Sequence, residues 1–515
     1  MAVVIAAVFP LAYLFIRAAE VDADAFQQTI LRWRNVQLLG RTAALAAGVL
    51  AGGLLLAAPM AWLSTRGAIR GRRVLTLLAI MPLAVPGYVM AYALRSIGGY
   101  QGVAHRLFDT RPLPLSGYTG AVLALTLCTY PYLFLNLRSA ILGMDGTLEE
   151  ASRTLGRGRV ATWFHVVRPQ LMPGLLAGSL LVLLHVLGDL GVVSLMRYET
   201  FSLAIYQQYT IYDPTYAAWL ALALLAITAV LLWGEAMILG DLRLDSPHAA
   251  AGHRVRHAAG RWWQWPAYLT LGSIALAGVA LPVTVVAFWA SHDAVRDQAA
   301  DALSSAWASV QMALPAALLA GLLVLPIAHI AARHPSKRSK LMERAAYFSY
   351  ATPPLAFALA FAFIAPRFDH WLQQAGAPDV FRVYQTLPLL IVALTLHFLA
   401  EAIGPVRSSM KQASPQLEEA ARTLGSTRLT AFTRVTLPLV RRGVMTGMLL
   451  VFLSAMKELP ITVVLAPNEF RPLSYNAWSY ASEADFAGAA PHALMILLTS
   501  TVLVTLLFLR EGGRR

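Results

Sequence analysis

"LEEASRTLG" at Leu148–Gly156 and "LEEAARTLG" at Leu417–Gly425 differ at one letter, Ser152 against Ala421, and stand 269 positions apart in a chain of 515 residues. Both are acidic and arginine-bearing, and both lie between long apolar runs. The same offset relates Arg138 to Arg407, Ser139 to Ser408, Pro169 to Pro438, Gly174 to Gly443, Gly178 to Gly447 and Asp189 to Glu458. Compositional bias duplicates alanines and leucines, but not a set of this kind. The chain therefore reads as two equivalent halves that arose by duplication or fusion.

The apolar runs identify the solvent. Hydrophobic residues make up 58% of the chain, charged residues 13%, and the mean hydropathy is +0.59. Soluble domains carry about 25% charged residues. Runs near 20 residues long recur throughout, each sufficient to cross a hydrocarbon core of about 30 Å as a helix. The spacing predicts an all-α polytopic membrane protein of about 12 transmembrane helices. Spans are expected near 2–19, 41–63, 74–95, 117–140, 172–196 and 215–239 in the first half. In the second half they are expected near 266–290, 306–332, 345–366, 386–408, 442–466 and 488–510. The first half is residues 1–240, a polar cytoplasmic linker 241–265, and the second half 266–515. Trp262, Trp263 and Trp265 close that linker as an interfacial anchor. The opening "MAVVIAAVFPLAYLFI" lacks a basic n-region and is expected to be a retained helix. With six spans per half, both acidic loops emerge on one face, which makes the repeat parallel rather than inverted.

The net charge of +14 invites a nucleic-acid reading. Most basic residues, however, cluster in loops on the face that carries the repeats, such as Arg66/Arg70/Arg72/Arg73 and Arg428/Arg434/Arg441/Arg442. That is the positive-inside distribution, so the expected surroundings are membrane lipid and no nucleic acid. Cys128 is the only cysteine, which excludes an intrachain disulfide and points to a small core residue.

Each repeat loop has the marks of a short helix. Asp145 and Ser414 sit at equivalent N-cap positions, and Pro415 follows as a favourable first residue. Thr147 and Glu150 offer a capping box as an alternative start in the first copy. Glu149, Glu150, Glu418 and Glu419 lie at the positive end of the helix dipole. Leu148, Ala151, Ser152 and Leu155, like Leu417, Ala420, Ala421 and Leu424, form a narrow stripe of mostly small residues. Gly156 and Gly425 suit the left-handed residue that ends a helix. Such a helix either lies in a groove on another protein or folds back on its own bundle; two copies on one face favour a two-fold partner.

"EEASRTLGRGRVATWFHVVRP" and "EEAARTLGSTRLTAFTRVTLP" resemble the EAA loop of ABC-type importer permeases. Ser152 replaces the second alanine of the first copy, and Arg168 the usual apolar residue before proline. The resemblance implies a type I (MetI-like) permease architecture in the bacterial inner membrane. It implies that Glu149, Glu150, Ala151, Gly156 and Pro169, with Glu418, Glu419, Ala420, Gly425 and Pro438, belong to coupling helices that dock on a dimer of ATP-binding subunits. Two loops in one chain resemble the fused permeases of the ferric-iron class. So do "LGDLGVVSLMRYETFSLAIYQQY" at Leu187–Tyr209, "MKELPITVVLAPNEFRPLSY" at Met456–Tyr475 and "PLAVPGYVMAYAL" at Pro82–Leu94. Fused thiamine permeases share the loops and are the nearest competitor. A separate periplasmic binding protein supplies cargo in such importers, and its docking ground is expected around 197–214 and 467–487.

No G-x-x-x-x-G-K-[ST] phosphate loop occurs, so ATP and Mg belong to the partner and no cofactor is expected in this chain. No H-E-x-x-H or G-x-S-x-G motif supports an enzyme. Charged residues within spans are costly and mark candidate path residues: Asp189, Glu458, His185, Glu401 and His397. Asp189 and Glu458 are the candidate transient metal ligands, since carboxylate oxygens suit a hard cation. The alternative for this pair is hydrogen bonding at helix ends. An ion-coupled secondary transporter would also have repeats and buried charges, but leaves the two EAA loops without a purpose.

Overall fold

Every regular element among the described residues is a helix. The computed structural model describes residues 2–20, 32–66, 71–99, 102–211, 213–241, 268–269, 272–274, 276–291, 299–333, 336–376 and 382–512. The first half comprises α1 (Ala2–Ala19), α2 (Trp33–Arg66), α3 (Arg72–Ile80), α4 (Gly87–Ile97), α5 (Val103–Phe108), α6 (Gly117–Gly143), α7 (Gly146–Thr154), α8 (Arg159–Gly188), α9 (Gly191–Leu195), α10 (Phe201–Thr210) and α11 (Pro214–Asp241). The second comprises α12 (Leu281–Ala290), α13 (Ala299–Arg333), α14 (Lys337–Ala351), α15 (Pro354–Gln374), α16 (Leu387–Gln412), α17 (Pro415–Thr423), α18 (Arg428–Met456), α19 (Pro460–Leu465), α20 (Leu473–Ser482) and α21 (Phe486–Gly512). Residues 242–265 of the expected linker, with Trp262, Trp263 and Trp265, lie outside the described residues.

Ten described helices are long and apolar enough to cross a membrane, or eleven if the bent pair at 74–97 counts as one span. These ten or eleven among the described residues stand beside the about twelve expected over the whole chain. α1 covers the span expected at 2–19, while several other expected spans are broken. The span expected at 74–95 bends by 89° between α3 and α4. Val85 and Pro86 are extended there, as expected where proline disfavours helix in its predecessor. Thr352 and Pro353 interrupt the span expected at 345–366 in the same way. The spans expected at 172–196 and 442–466 stop at Gly188 and Met456, and short α9 and α19 follow.

Two equivalent three-helix cores carry the halves: α2, α6 and α8, and α13, α16 and α18. Apolar side chains gain little from leaving lipid for one another, so close backbone approach at small residues holds such helices together. The repeated glycines provide it. A Cβ on Gly178 would lie 3.0 Å from Leu133 Cα, and one on Gly447 3.0 Å from Ala402 Cα. On Gly174 and Gly443 it would meet the carbonyls of Asn136 at 2.8 Å and Pro405 at 2.6 Å.

The halves interlock by exchange. α1 and α11 of the first half pack on α15 of the second, while α12 and α21 of the second pack on α4 of the first. Tyr92 Oη donates to the Phe486 carbonyl at 2.8 Å, Trp478 Nε1 to Ser194 Oγ at 2.8 Å, and Arg367 pairs with Glu20 at 2.6 Å across the same junction.

Candidate functional site

Four breaks in helical backbone meet at one place. Val85–Pro86, Thr352–Pro353, Asp189–Leu190 and Lys457–Leu459 all line a cavity of about 190 Å³ between the halves. Irregular backbone at membrane depth is tolerated where it is buried in protein or lines a cavity, because lipid satisfies no N–H or C=O group. The cavity is also lined by equivalent positions of the two halves. Cys128, Tyr132, His185, Gly188 and Asp189 line it from one half, and from the other the residues 269 positions on, His397, Glu401, Ser454, Lys457 and Glu458.

Asp189 and Glu458 play matching local roles. Asp189 Oδ1 accepts from the backbone N–H groups of Val192 at 2.8 Å and Val193 at 3.4 Å, at the start of α9. Glu458 Oε1 accepts from Ile461 N–H at 3.1 Å at the start of α19. Each carboxyl thus satisfies orphan donors of a short helix, the helix-end alternative. Each also keeps its second oxygen without a hydrogen-bond partner among the described residues, at the cavity wall. Both oxygens of Glu401 accept from Ser454 Oγ, at 2.9 and 2.8 Å. His185 and His397 line the cavity tilted against aromatic rings, Tyr132 at 5.9 Å and Phe357 at 5.1 Å. All five path candidates therefore share one cavity. Among the described residues, no group of three His, Cys, Asp or Glu side chains is arranged to hold a metal. Tyr132 and Cys128 line the cavity as well. Lys457, beside Glu458, donates to the Leu83 carbonyl at 3.1 Å.

The loop helices lie away from this cavity and are built alike. Asp145 Oδ1 caps α7 by accepting from Thr147 N–H at 3.0 Å, and Ser414 Oγ caps α17 by accepting from Gln416 N–H at 3.3 Å. Asp145 also accepts from the Thr147 hydroxyl, and the two bonds hold its carboxyl below the usual range. The Thr147–Glu150 capping box is not formed. Both helices end in a Schellman turn. Gly156 N–H reaches Arg153 O and Arg157 N–H reaches Ser152 O, with φ +82° at Gly156. Gly425 N–H reaches Arg422 O and Ser426 N–H reaches Ala421 O, with φ +89° at Gly425.

A π-turn follows each, at Trp163–Val167 and Phe432–Thr436, where Arg168 N–H bonds Trp163 O and Leu437 N–H bonds Phe432 O. Pro169 and Pro438, one residue on, have no N–H to continue an α-helical ladder, so the register slips by one.

The outer face of each helix is bare. Leu155 is 81% and Leu424 86% exposed, and Leu148, Ala151, Leu417 and Ala420 are exposed beside them. Glu150 and Glu419 face outward too, whereas Glu149 faces inward. Glu149 pairs with Arg66 at 2.6 Å, both side chains buried, and with Arg153 at 2.9 Å. Glu418 instead accepts from Thr436 Oγ1 at 2.9 Å. Ser152, the odd letter of the first copy, bonds Thr162 Oγ1 at 3.1 Å; the second half has Ala421 and Ala431 at those places.

The profile of the binding-protein-dependent transport system inner membrane component matches this chain twice, at residues 53–233 and 325–510. The chain belongs to that family. An inner membrane component of this kind is a multi-pass permease, and its two matched segments each hold one loop helix and one wall of the cavity. The Fe(3+)-transport system permease protein FbpB 2 of Haemophilus influenzae is 29% identical over 505 residues, 97% of this inner membrane component and 94% of its own length. The molybdenum transport system permease protein ModB of Escherichia coli is 34% identical over 133 residues, 25% of this chain and 58% of its own. A probable sulfate transport system permease protein cysT of Prototheca wickerhamii is 28% identical over 180 residues, 33% of this chain and 70% of its own. Membership in this family of importer permease components argues against the ion-coupled secondary transporter.

Proposed function

We propose that this chain is the fused type I membrane subunit of an ATP-driven importer that moves ferric iron from a periplasmic binding protein to the cytoplasm. The observation that carries the cargo is the set of three carboxyl side chains, Asp189, Glu401 and Glu458, around one cavity between the halves. Carboxylate oxygens are hard donors, suited to a hard cation and poorly suited to an oxyanion such as sulfate or molybdate. The full-length likeness to an Fe(3+)-transport permease supports the same reading. The transport path needs no tight site, because affinity is supplied by the binding protein and cargo must leave as readily as it enters.

Coupling runs through α7 and α17. Each presents an exposed apolar stripe on the cytoplasmic face to one groove of an ATPase dimer, which binds the ATP and Mg. Closure of the dimer draws the two helices together. Because α8 and α18 continue from them through the π-turns into the cavity wall, the halves rock and the cavity opens to alternate sides.

The test is reconstitution of the chain with its ATPase and binding protein in proteoliposomes, with uptake of labelled ferric iron measured beside thiamine and molybdate. ATP-dependent iron uptake is the expected result. ATP-dependent thiamine uptake without iron uptake overturns the cargo and keeps the coupling.

A further inference from the structure

Lys457 breaks the symmetry of the cavity. Its counterpart is Gly188, where an added Cβ would stand 2.7 Å from Pro354 Cδ, so that wall closes by backbone packing on the other half. The opposite wall closes with an ammonium. Lys457 Nζ crosses to the Leu83 carbonyl at 3.1 Å, in the short helical turn just before the Val85–Pro86 break. Tyr88, just beyond that break, returns a bond from its hydroxyl to the Lys457 carbonyl at 3.4 Å. One residue of the second half thereby grips the first half on both sides of its bend.

The grip is made of weak material for so costly a group. A buried ammonium is expensive in a membrane unless it is paired. Asp189, Glu401 and Glu458 line the same cavity, yet among the described residues none forms an ion pair with Lys457. Asp189 and Glu458 each keep an oxygen free of hydrogen bonds among the described residues. The other groups facing the cavity that can carry charge are His185 and His397, with Tyr88, Tyr132, Tyr350 and Cys128 beside them. The cavity thus offers acidic oxygens to a cation while its own cation is held by a single carbonyl.

We propose that Lys457 is a tethered counter-cation: it stands in the cavity for a cationic cargo while the path is closed, and an entering multivalent cation displaces it from the Leu83 carbonyl and unfastens the halves. Repulsion between the two cations acts at short range in a medium of low dielectric, where it is strong. An anionic cargo would be attracted to the ammonium and leave the grip in place, so Lys457 is a specificity-determining residue for charge. The proposal rests on the reading of the cargo as a cation.

Cys128 lets this be read directly, because it is the chain's only cysteine and lines the same cavity. The full chain with its ATPase is placed in proteoliposomes without ATP, and modification of Cys128 by a small cationic methanethiosulfonate is followed by mass spectrometry. Wild type, Lys457→Gln and Lys457→Arg are compared, and wild type is repeated with gallium(III), which shares the charge of ferric iron and has no thiol redox chemistry. Lys457→Gln is expected to raise the rate roughly tenfold, as a shift of the closed–open equilibrium would, and Lys457→Arg to leave it near wild type. Gallium is expected to move wild type towards the Lys457→Gln rate. An unchanged rate in a folded Lys457→Gln chain overturns the proposal. Should that variant fail to fold, an unchanged wild-type rate with gallium overturns it instead. ATP-driven iron uptake on the same vesicles separates the two readings. Uptake with Cys128 unmoved by either perturbation overturns the tether and keeps the cargo; no uptake, with gallium inert and Lys457→Gln open, overturns the cargo and the displacement together.

Discussion

Arg66, the last residue of α2, and Glu149, in the first loop helix, form an ion pair of 2.6 Å with both side chains buried. Arg66 also lies 4.4 Å from the centre of the Trp62 ring, which packs edge-on against Trp163 of the π-turn. The pair therefore ties α7 to the body of its half. Its counterpart is built differently: Arg333 Nη2 donates to the Ala413 carbonyl at 2.7 Å, and Glu418 relies on Thr436.

This asymmetry predicts unequal losses. Glu149→Gln leaves a buried guanidinium without its charge partner and should cost about 3 kcal/mol. Glu418→Gln disturbs one half-buried hydrogen bond and should cost about 1 kcal/mol. Thermal unfolding of the purified chain checks both. The double change Arg66→Met/Glu149→Leu should recover most of the first loss, since a buried pair replaced by apolar groups is often neutral.

Gly156 and Gly425 carry left-handed backbone, at φ +82° and +89°, with nothing within 4 Å of an added Cβ. Alanine at either position should therefore cost only conformational strain, about 1 kcal/mol. Amide exchange should show the loss as faster opening of α7 or α17, with the spans unchanged. Asparagine should cost less than alanine at both positions.

Close helix contact at Gly443 makes the opposite prediction. A Cβ there would lie 2.6 Å from the Pro405 carbonyl and 2.2 Å from Ser409 Oγ, so α18 must move away from α16. Gly443→Ala should cost about 1–3 kcal/mol by overpacking, and Gly443→Val more. Thermal unfolding and the yield of monodisperse protein report it. The flexible Ser409 side chain can turn aside, but the carbonyl cannot.

At the junction of the halves, Glu20 is held below the ordinary glutamate value chiefly by its hydrogen bond from Arg367, with Arg17 also beside it. Its contribution is complete above that ordinary value and is lost as pH falls through the lowered one. Both partners are substantially exposed, so Glu20→Gln should cost less than about 1 kcal/mol at pH 7 and vanish in high salt. Melting curves at neutral and acidic pH, at two ionic strengths, check the sign.

The repeat, the capped loop helices and their glycine ends were legible because each leaves a short local signature in the sequence. Asp145, Ser414, Gly156 and Gly425 act within a few residues of themselves. The broken spans were not read, although Pro86 and Pro353 mark them, because an apolar run has the same composition whether straight or bent through 89°. The inward face of Glu149 depends on Arg66, 83 positions away, which no local pattern reveals. The cavity was half legible. Its acidic residues stood out as charges in apolar runs, whereas Cys128, Tyr132 and Gly188 became visible as lining residues only as symmetry mates of His397, Glu401 and Lys457.

If α7 and α17 are the two points at which an ATPase dimer grips the chain, co-purification of the ATPase with chains bearing Leu155→Asp, Leu424→Asp or both will show it. Both leucines are exposed, so the variants should keep the melting temperature of the parent chain. The account predicts weaker capture of the ATPase by each single variant and complete loss of capture, with loss of ATP-driven uptake, by the double variant. Stoichiometric capture and unchanged uptake by the double variant would contradict it.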